Sequence, residues 1–347
     1  MHKRVFTAAL ALGLSVAASM TAWAQSGADT AAPASVLAAT STAPSGPVWV
    51  TLGTGGGPQI RRERSEPANA LVIGNDIYLF DVGSGTERQM VGAHLALGNV
   101  KAIFISHHHI DHNADLGQLI ASRWMFNGYA PLPVIGPPGT VEMIRSLIEA
   151  DAPDELAPIG AGPKGKPSIG ATVAPRDLDL TMDQPTEIYR DTNIRVLAVT
   201  NTHYHFEPGS PQAREARSYS LRIETPQRTF VYTGDTGPSQ HVEQLALGAD
   251  VLISEVIDID SIANTLRHAP ASQLPPAMLP AMLKHMEEDH LTPAEIGKLA
   301  AKAAVKEVVL THIVPGSDGE HDMSGYTKGI APTYGGPVYV SRDLDRF

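Results

Sequence analysis

The stretch Ser106-His107-His108-His109-Ile110-Asp111-His112 sets four metal-competent side chains in a His-x-His-x-Asp-His pattern, directly after the apolar run Val100 to Ile105. That run reads as a buried strand, so the cluster sits on a loop at a strand's end. Two imidazoles spaced by two residues can converge on one ion, and Asp111 and His112 are offset so as to reach a second ion beside it. Imidazole nitrogen with carboxylate oxygen suits zinc and, less specifically, iron or manganese. Three further apolar runs end in the same way: Ile194 to Val199 leads to Thr202-His203-Tyr204-His205, Thr229 to Tyr232 to Gly234-Asp235, and Val308 to Leu310 to Thr311-His312. A lone histidine is more often a satisfied polar residue than a ligand. Seven candidate ligands at four strand ends point instead to a metal centre able to hold one ion and a second beside it. His203 and His205 compete for one place in this set. His108, between two candidates on an extended segment, points the other way.

The elements that must position these loops follow from the hydrophobic pattern. Val48 to Leu52 reads as a strand, and Ala70 to Ile73 with Ile77 to Phe80 flank Gly74-Asn75-Asp76 as a hairpin. Helices are expected over 87–97, 115–126, 141–149 and 293–304, with strands over 132–135, 187–189, 218–223, 250–254 and 307–311. Residues 151–176, rich in Pro and Gly, read as irregular. Helices and strands alternate in two similar halves, which favours a layered α/β architecture. The glycine-rich segment 53–57 lacks the Lys-Ser/Thr of a phosphate loop, so it reads as a tight turn bringing two backbones together.

With these motifs in place the chain resembles the metallo-β-lactamase superfamily, and within it the tRNase Z-like and arylsulfatase-like branch. The resemblance runs from Val48 to the C-terminus. It rests on Leu52-Gly53-Thr54-Gly55, Phe80-Asp81-Val82-Gly83-Ser84-Gly85-Thr86, the His-x-His-x-Asp-His motif, Gly234-Asp235-Thr236, Glu255 after a strand, and Thr311-His312. It implies an αββα four-layer sandwich with mixed sheets and a site for two Zn2+ at one edge, Mn or Fe being alternatives. It also implies that His107, His109 and His203 hold one metal, that Asp111, His112 and His312 hold the other, and that Asp235 bridges them. A Thr-His-Tyr triplet favours His203 over His205. His290, in His290-Leu291-Thr292-Pro293, matches a position where such enzymes keep a histidine near the leaving group, as general acid or hydrogen-bond donor. Glu255 would orient it, and Asp111 would orient the nucleophile, a hydroxide bridging the two ions.

Composition narrows the substrate. Lys3 and Arg4, the apolar stretch Val5 to Met20 and the small-x-small site Ala22-Trp23-Ala24 read as a secretory signal peptide over 1–24. A low-complexity linker is expected over 25–47 and one hydrolase domain over 48–347, giving a periplasmic or secreted protein with no stable membrane anchor. The chain has no cysteine, which excludes disulfides, lipoprotein anchoring and the Cys ligand of many zinc β-lactamases. Its net charge of −11 argues against gripping a nucleic-acid backbone. Segment 151–176, with only Lys164, Lys166 and Arg176 as basic residues, offers little of the basic arm that tRNA processing needs. The expectation is therefore cleavage of a phosphodiester or sulfate ester of a small molecule, with β-lactam or lactone opening as the alternative and iron-dependent redox chemistry behind it. The resemblance also admits a homodimer. Arg61, Arg62 and Arg64 offer either anion recognition or a solvated face. Arg123-Trp124-Met125-Phe126 and Tyr129 offer either a hydrophobic lip or ordinary packing.

Overall fold

The computed structural model describes residues 46–157, 159, 166–268 and 275–347. The expected signal peptide, and the linker up to residue 45, lie outside these residues. The strands form two sheets. β1 (Val48–Gly53), β2 (Ala68–Ile73), β3 (Asp76–Val82), β4 (Val100–Phe104), β5 (Leu132–Gly136) and β6 (Val173–Asp177) make the first, in chain order. β7 (Thr186–Arg190), β8 (Arg195–Thr200), β9 (Tyr219–Glu224), β10 (Thr229–Tyr232), β11 (Val251–Ile257), β12 (Glu307–Val314) and β13 (Val338–Val340) make the second. Both are mixed: β1 to β3 pair antiparallel and β3 to β6 parallel, while β7 to β10 pair antiparallel and β10 to β13 parallel.

Strand alternation builds the layers, because successive side chains leave opposite faces of a sheet. In β3, Tyr78 and Phe80 enter the core between the sheets, where Phe80 stacks 5.0 Å from Trp49 and 5.1 Å from Phe104. Ile77 and Leu79 leave the other face and join Met90, Leu119, Ile120 and Ile144 beneath α1 (Thr86–Gly92), α3 (Leu116–Met125) and α4 (Thr140–Ala150). The four-residue turn α2 (Ile110–Asn113) precedes α3, and α5 (Ala152–Leu156) and α6 (Pro211–Glu215) are short connectors. On the far side α7 (Gln240–Ala246) and α10 (Pro293–Lys302) cover the second sheet through Val242, Leu245, Ile296 and Leu299. The result is the expected αββα sandwich. α10 starts on a capping box, Thr292 with Glu295, and carries Pro293 in its first turn.

Three local expectations need correction. The helix foreseen over 87–97 stops at Gly92, because His94 takes a left-handed backbone (φ 58°) and 97–99 is a separate helical turn. The segment 151–176 is not wholly irregular: it contains α5 and begins β6, whose Pro175 is tolerated on the sheet's outer edge. Between β11 and His290 two unforeseen helices, α8 (Ile259–His268) and α9 (Leu279–Glu288), pack on each other, and none of the residues of α9 is buried.

Candidate metal centre

The loops after β4, β8 and β10, together with the outer half of β12, meet at one edge of the sandwich. Seven side chains converge there in two overlapping sets. In the first, His109 Nδ1 lies 3.0 Å from His107 Nε2 and 3.2 Å from His203 Nε2. Asp235 Oδ2 stands 3.9 Å from His107 Nε2 and 4.0 Å from His203 Nε2. In the second, Asp111 Oδ2 is 3.4 Å from His112 Nε2 and 3.6 Å from His312 Nε2, and the same Asp235 Oδ2 is 3.4 and 3.1 Å from those nitrogens. Four donors held tetrahedrally at zinc bond lengths would be about 3.3–3.4 Å apart. Both sets bracket that spacing. His112 Nε2, His312 Nε2 and Asp235 Oδ1 are buried and have no hydrogen-bond partner, which is costly unless a cation meets them. The residues fit two divalent ions.

Outer contacts aim the rings. His112 Nδ1 donates to Asp81 Oδ2 at 2.8 Å, and Ser106 Oγ donates to the same oxygen at 2.7 Å while facing His107 Nδ1 at 3.0 Å. Asp81 also accepts from the Ser106 amide and from Tyr232 Oη, both at 2.7 Å. His203 Nδ1 donates to the Asp289 carbonyl at 3.0 Å. Asp81 was quoted above only as part of a glycine-rich turn, yet it steers one ring of each set and holds a left-handed backbone, φ 56°. Because asparagine tolerates that conformation, Asp81→Asn should fold while its amide can no longer accept from three donors. We expect metal affinity to fall roughly 10- to 100-fold, read by competition with a chromophoric chelator.

Electrostatics separates the two sets. Burial, with the neighbouring imidazoles of His112 and His203, holds His107 well below its ordinary value. Burial also lowers His109, and brings His203 down to about 3. In the second set burial opposes charge, but Asp235, Asp111 and Asp81 outweigh it and raise His112 well above its ordinary value. Asp235 and Asp111 likewise overcome burial at His312 and raise it to about 10. Burial alone would raise the two carboxylates; the facing His112 and His312 keep both below the usual range. The carboxylates of both sets are thus ionised and the imidazoles of the first set neutral, as ligands need, whereas His112 and His312 carry protons that a binding cation would displace.

The structure divides the two rival histidines. His203 is buried in the first set, whereas His205 turns away and pairs with the Asp289 carboxylate, whose other oxygen pairs with His285 of α9. His108 stays outside, facing Thr140 Oγ1 at 3.2 Å and Asn113 Nδ2 at 3.3 Å. His290 is buried beside the cluster, its ring 5.0 Å from that of His203, and its Nδ1 lies 2.6 Å from Glu255 Oε2. Burial lowers His290 to about 4, while burial and the nearby Asp235 push Glu255 well above the carboxylate range. Both directions agree on a neutral pair, in which Glu255 carries the proton donated to Nδ1 and Nε2–H is left as a donor. Glu255 also lies within ligand distance of Asp235 and His312.

The segment 53–57 behaves as the expected tight turn: a side chain at Gly57 would come within 2.3 Å of Asp111 Cβ, and the Gly57 amide donates to Asp111 Oδ2 at 3.1 Å. The arginines beyond it are engaged elsewhere. Arg61 donates to the Pro315 carbonyl, Arg62 pairs with Asp318, and Arg64 binds Thr54 and the Ser341 carbonyl. Arg123 and Trp124 are buried in the outer helix layer, bonded to the carbonyls of Gly128 and Pro167, which is packing and not a lip. Among the described residues no helix is long and apolar enough to cross a membrane.

Residues 76–313 match the family model described as a beta-lactamase superfamily domain. A ribonuclease Z of Mycobacterium bovis (strain BCG / Pasteur 1173P2) is 28% identical over 306 residues, covering 85% of this chain and 95% of that protein. Human tRNase Z, short form, superposes with a TM-score of 0.57 at 21% identity, covering 86% of this chain and 98% of that one. The metallo-beta-lactamase fold protein YhfI from Bacillus subtilis does so with a TM-score of 0.59 at 18% identity, covering 87% and 98%.

Proposed function

Because the chain belongs to the beta-lactamase superfamily, in its tRNase Z-like branch, we propose that it is an exported phosphodiesterase whose metal centre holds two zinc ions. The observation that carries this reading is the single oxygen Asp235 Oδ2, common to two complete ligand sets. The relatives named ribonuclease Z favour a phosphodiester as the bond cleaved, because that is the bond a ribonuclease breaks. They also weigh against the sequence-based expectation that disfavoured nucleic acid. On the other side, Lys166 lies over the Trp124 ring, 3.4 Å from its centroid, and Arg176 donates to the Ile188 carbonyl. Two of the three basic residues in 151–176 are thus used in packing. A nucleotide-sized phosphodiester reconciles the two better than a folded tRNA. The apolar stretch 5–20 and the site at 22–24 support export.

Two divalent cations, held by His107, His109, His203, Asp235, Asp111, His112 and His312, would supply an activated water and neutralise charge on the phosphoryl oxygens. The chain's own groups do the rest. Gly57 N–H fixes the Asp111 carboxylate, so its oxygen can serve as ligand and as acceptor for the water's proton. A cavity of about 220 Å3 opens over the cluster, with Pro58, Ile110, Met286 and Val314 as apolar wall and His290 at its side. This places His290 Nε2–H beside a departing oxygen, as donor to the charge that develops there.

Elemental analysis of the purified protein, with assays on bis(p-nitrophenyl) phosphate, a tRNA precursor, p-nitrophenyl sulfate and nitrocefin, tests the proposal. Two zincs per chain and cleavage of the phosphodiester are expected. Cleavage of the sulfate ester or of nitrocefin alone would replace the substrate class, and one iron per chain with no hydrolysis would overturn the reading. Detection of the protein in the cytoplasm alone would remove the export part.

A further inference from the structure

We infer that Tyr204 and Phe206 form a stacking subsite for a planar aromatic substituent, nucleobase or aryl, on the retained side of the phosphodiester. This rests on the phosphodiesterase reading and adds to it the side on which the substrate is recognised. The two residues sit on the loop that delivers His203. The Tyr204 ring lies 4.9 Å from that of His203 and edge-on 5.4 Å from that of His109. Phe206 stacks on Tyr204 with centroids 4.9 Å apart and planes 27° from parallel, and is 38% exposed. An aromatic ledge therefore runs outward from the metal ligands and ends on an open ring face. A single exposed phenylalanine is unremarkable on a protein surface; this one is a wall of a cavity that begins at a ligand.

That cavity, about 300 Å3, is lined by His109, Tyr204 and Phe206 together with Ala281 and Lys284 of α9. It shares His109 and His285 with the cavity over the cluster and diverges from it there. His290, the donor for the departing oxygen, lines only the cluster cavity. A diester centred on the metals thus sends its leaving group toward His290, Met286 and Val314 and its retained substituent along the ledge. Stacking on an aromatic face tolerates any flat ring, since every base presents a π-face. Lys284 lines the same cavity, exposed and paired only loosely with Glu288 at 3.6 Å.

Three substrates with one leaving group, p-nitrophenolate, isolate the retained side: the thymidine 5′-, phenyl and methyl p-nitrophenyl phosphates. For the wild type, kcat/KM on the thymidine or phenyl diester should exceed that on the methyl diester by about 10- to 100-fold, mostly through KM. In Phe206→Leu, which keeps an apolar side chain without a π-face, that ratio should fall toward one, and in Phe206→Tyr it should be retained. A thymidine preference without a phenyl preference, or the converse, assigns the subsite to base or to aryl. Equal rates on all three by the wild type, or a ratio unchanged in Phe206→Leu, overturn the subsite and leave the phosphodiesterase reading standing. Failure to cleave any of the three overturns both.

Discussion

Asp235→Asn is expected to lower hydrolysis of bis(p-nitrophenyl) phosphate by at least about 10³-fold, beyond the roughly 10- to 100-fold cost of losing a partner one step removed from a metal. The side chain keeps its shape, so the effect isolates charge. Asp235 Oδ2 is within 4.0 Å of a nitrogen on four of the five imidazoles: His107 Nε2, His112 Nε2, His203 Nε2 and His312 Nε2. No other ligand has that position. A neutral amide there would remove the anion that two cations would share, and its NH2 group would present donors where a lone pair is needed. Metal content below two per chain should accompany the loss of rate. A variant that retains both metals and wild-type kcat would sink the bridging role.

The second large effect belongs to His290 and depends on the leaving group. With an alkoxide leaving group, His290→Ala should reduce kcat by about 10²- to 10⁴-fold, the usual range for a positioned proton donor. With p-nitrophenolate, which leaves without help, the loss should be far smaller. The neutral pair described above adds a sharper test at its partner. Glutamine at 255 can donate to His290 Nδ1 just as the protonated glutamate does, so Glu255→Gln should stay near wild type while Glu255→Ala approaches His290→Ala. If Glu255→Gln is as damaged as the alanine variant, the carboxylate acts in its ionised form.

The seven positions of the candidate centre could be read from the chain because they follow or end apolar runs, and strand ends in a layered α/β fold gather at one edge. The choice between His203 and His205 could not be made from spacing, since both lie on the same loop; in the fold Asp289, 84 residues from His205, draws His205 away with its carboxylate, while its carbonyl aims His203 Nε2 at the cluster. Asp81 escaped for a similar reason. In sequence it is one acid in a turn, and its role arises from Ser106, His112 and Tyr232, brought to it by β4 and β10. α9 was invisible because it contributes nothing to the core, and a reading tuned to buried periodicity passes over such a helix. β6 was masked by its own Pro175, which only an edge position permits.

The provenance of the ligands has a mechanical consequence. His107, His109, Asp111 and His112 follow β4 of the first sheet, whereas His203, Asp235 and His312 come from β8, β10 and β12 of the second. Each of the two candidate sets therefore draws two residues from one sheet and two from the other. In a chain without a single cysteine, two ions held there would act as covalent-like staples, closing the open edge of the sandwich as a disulfide would close a loop. Stripping them should relax that edge first, leaving the aromatic core around Trp49 and Phe80 to hold the sheets together from the middle.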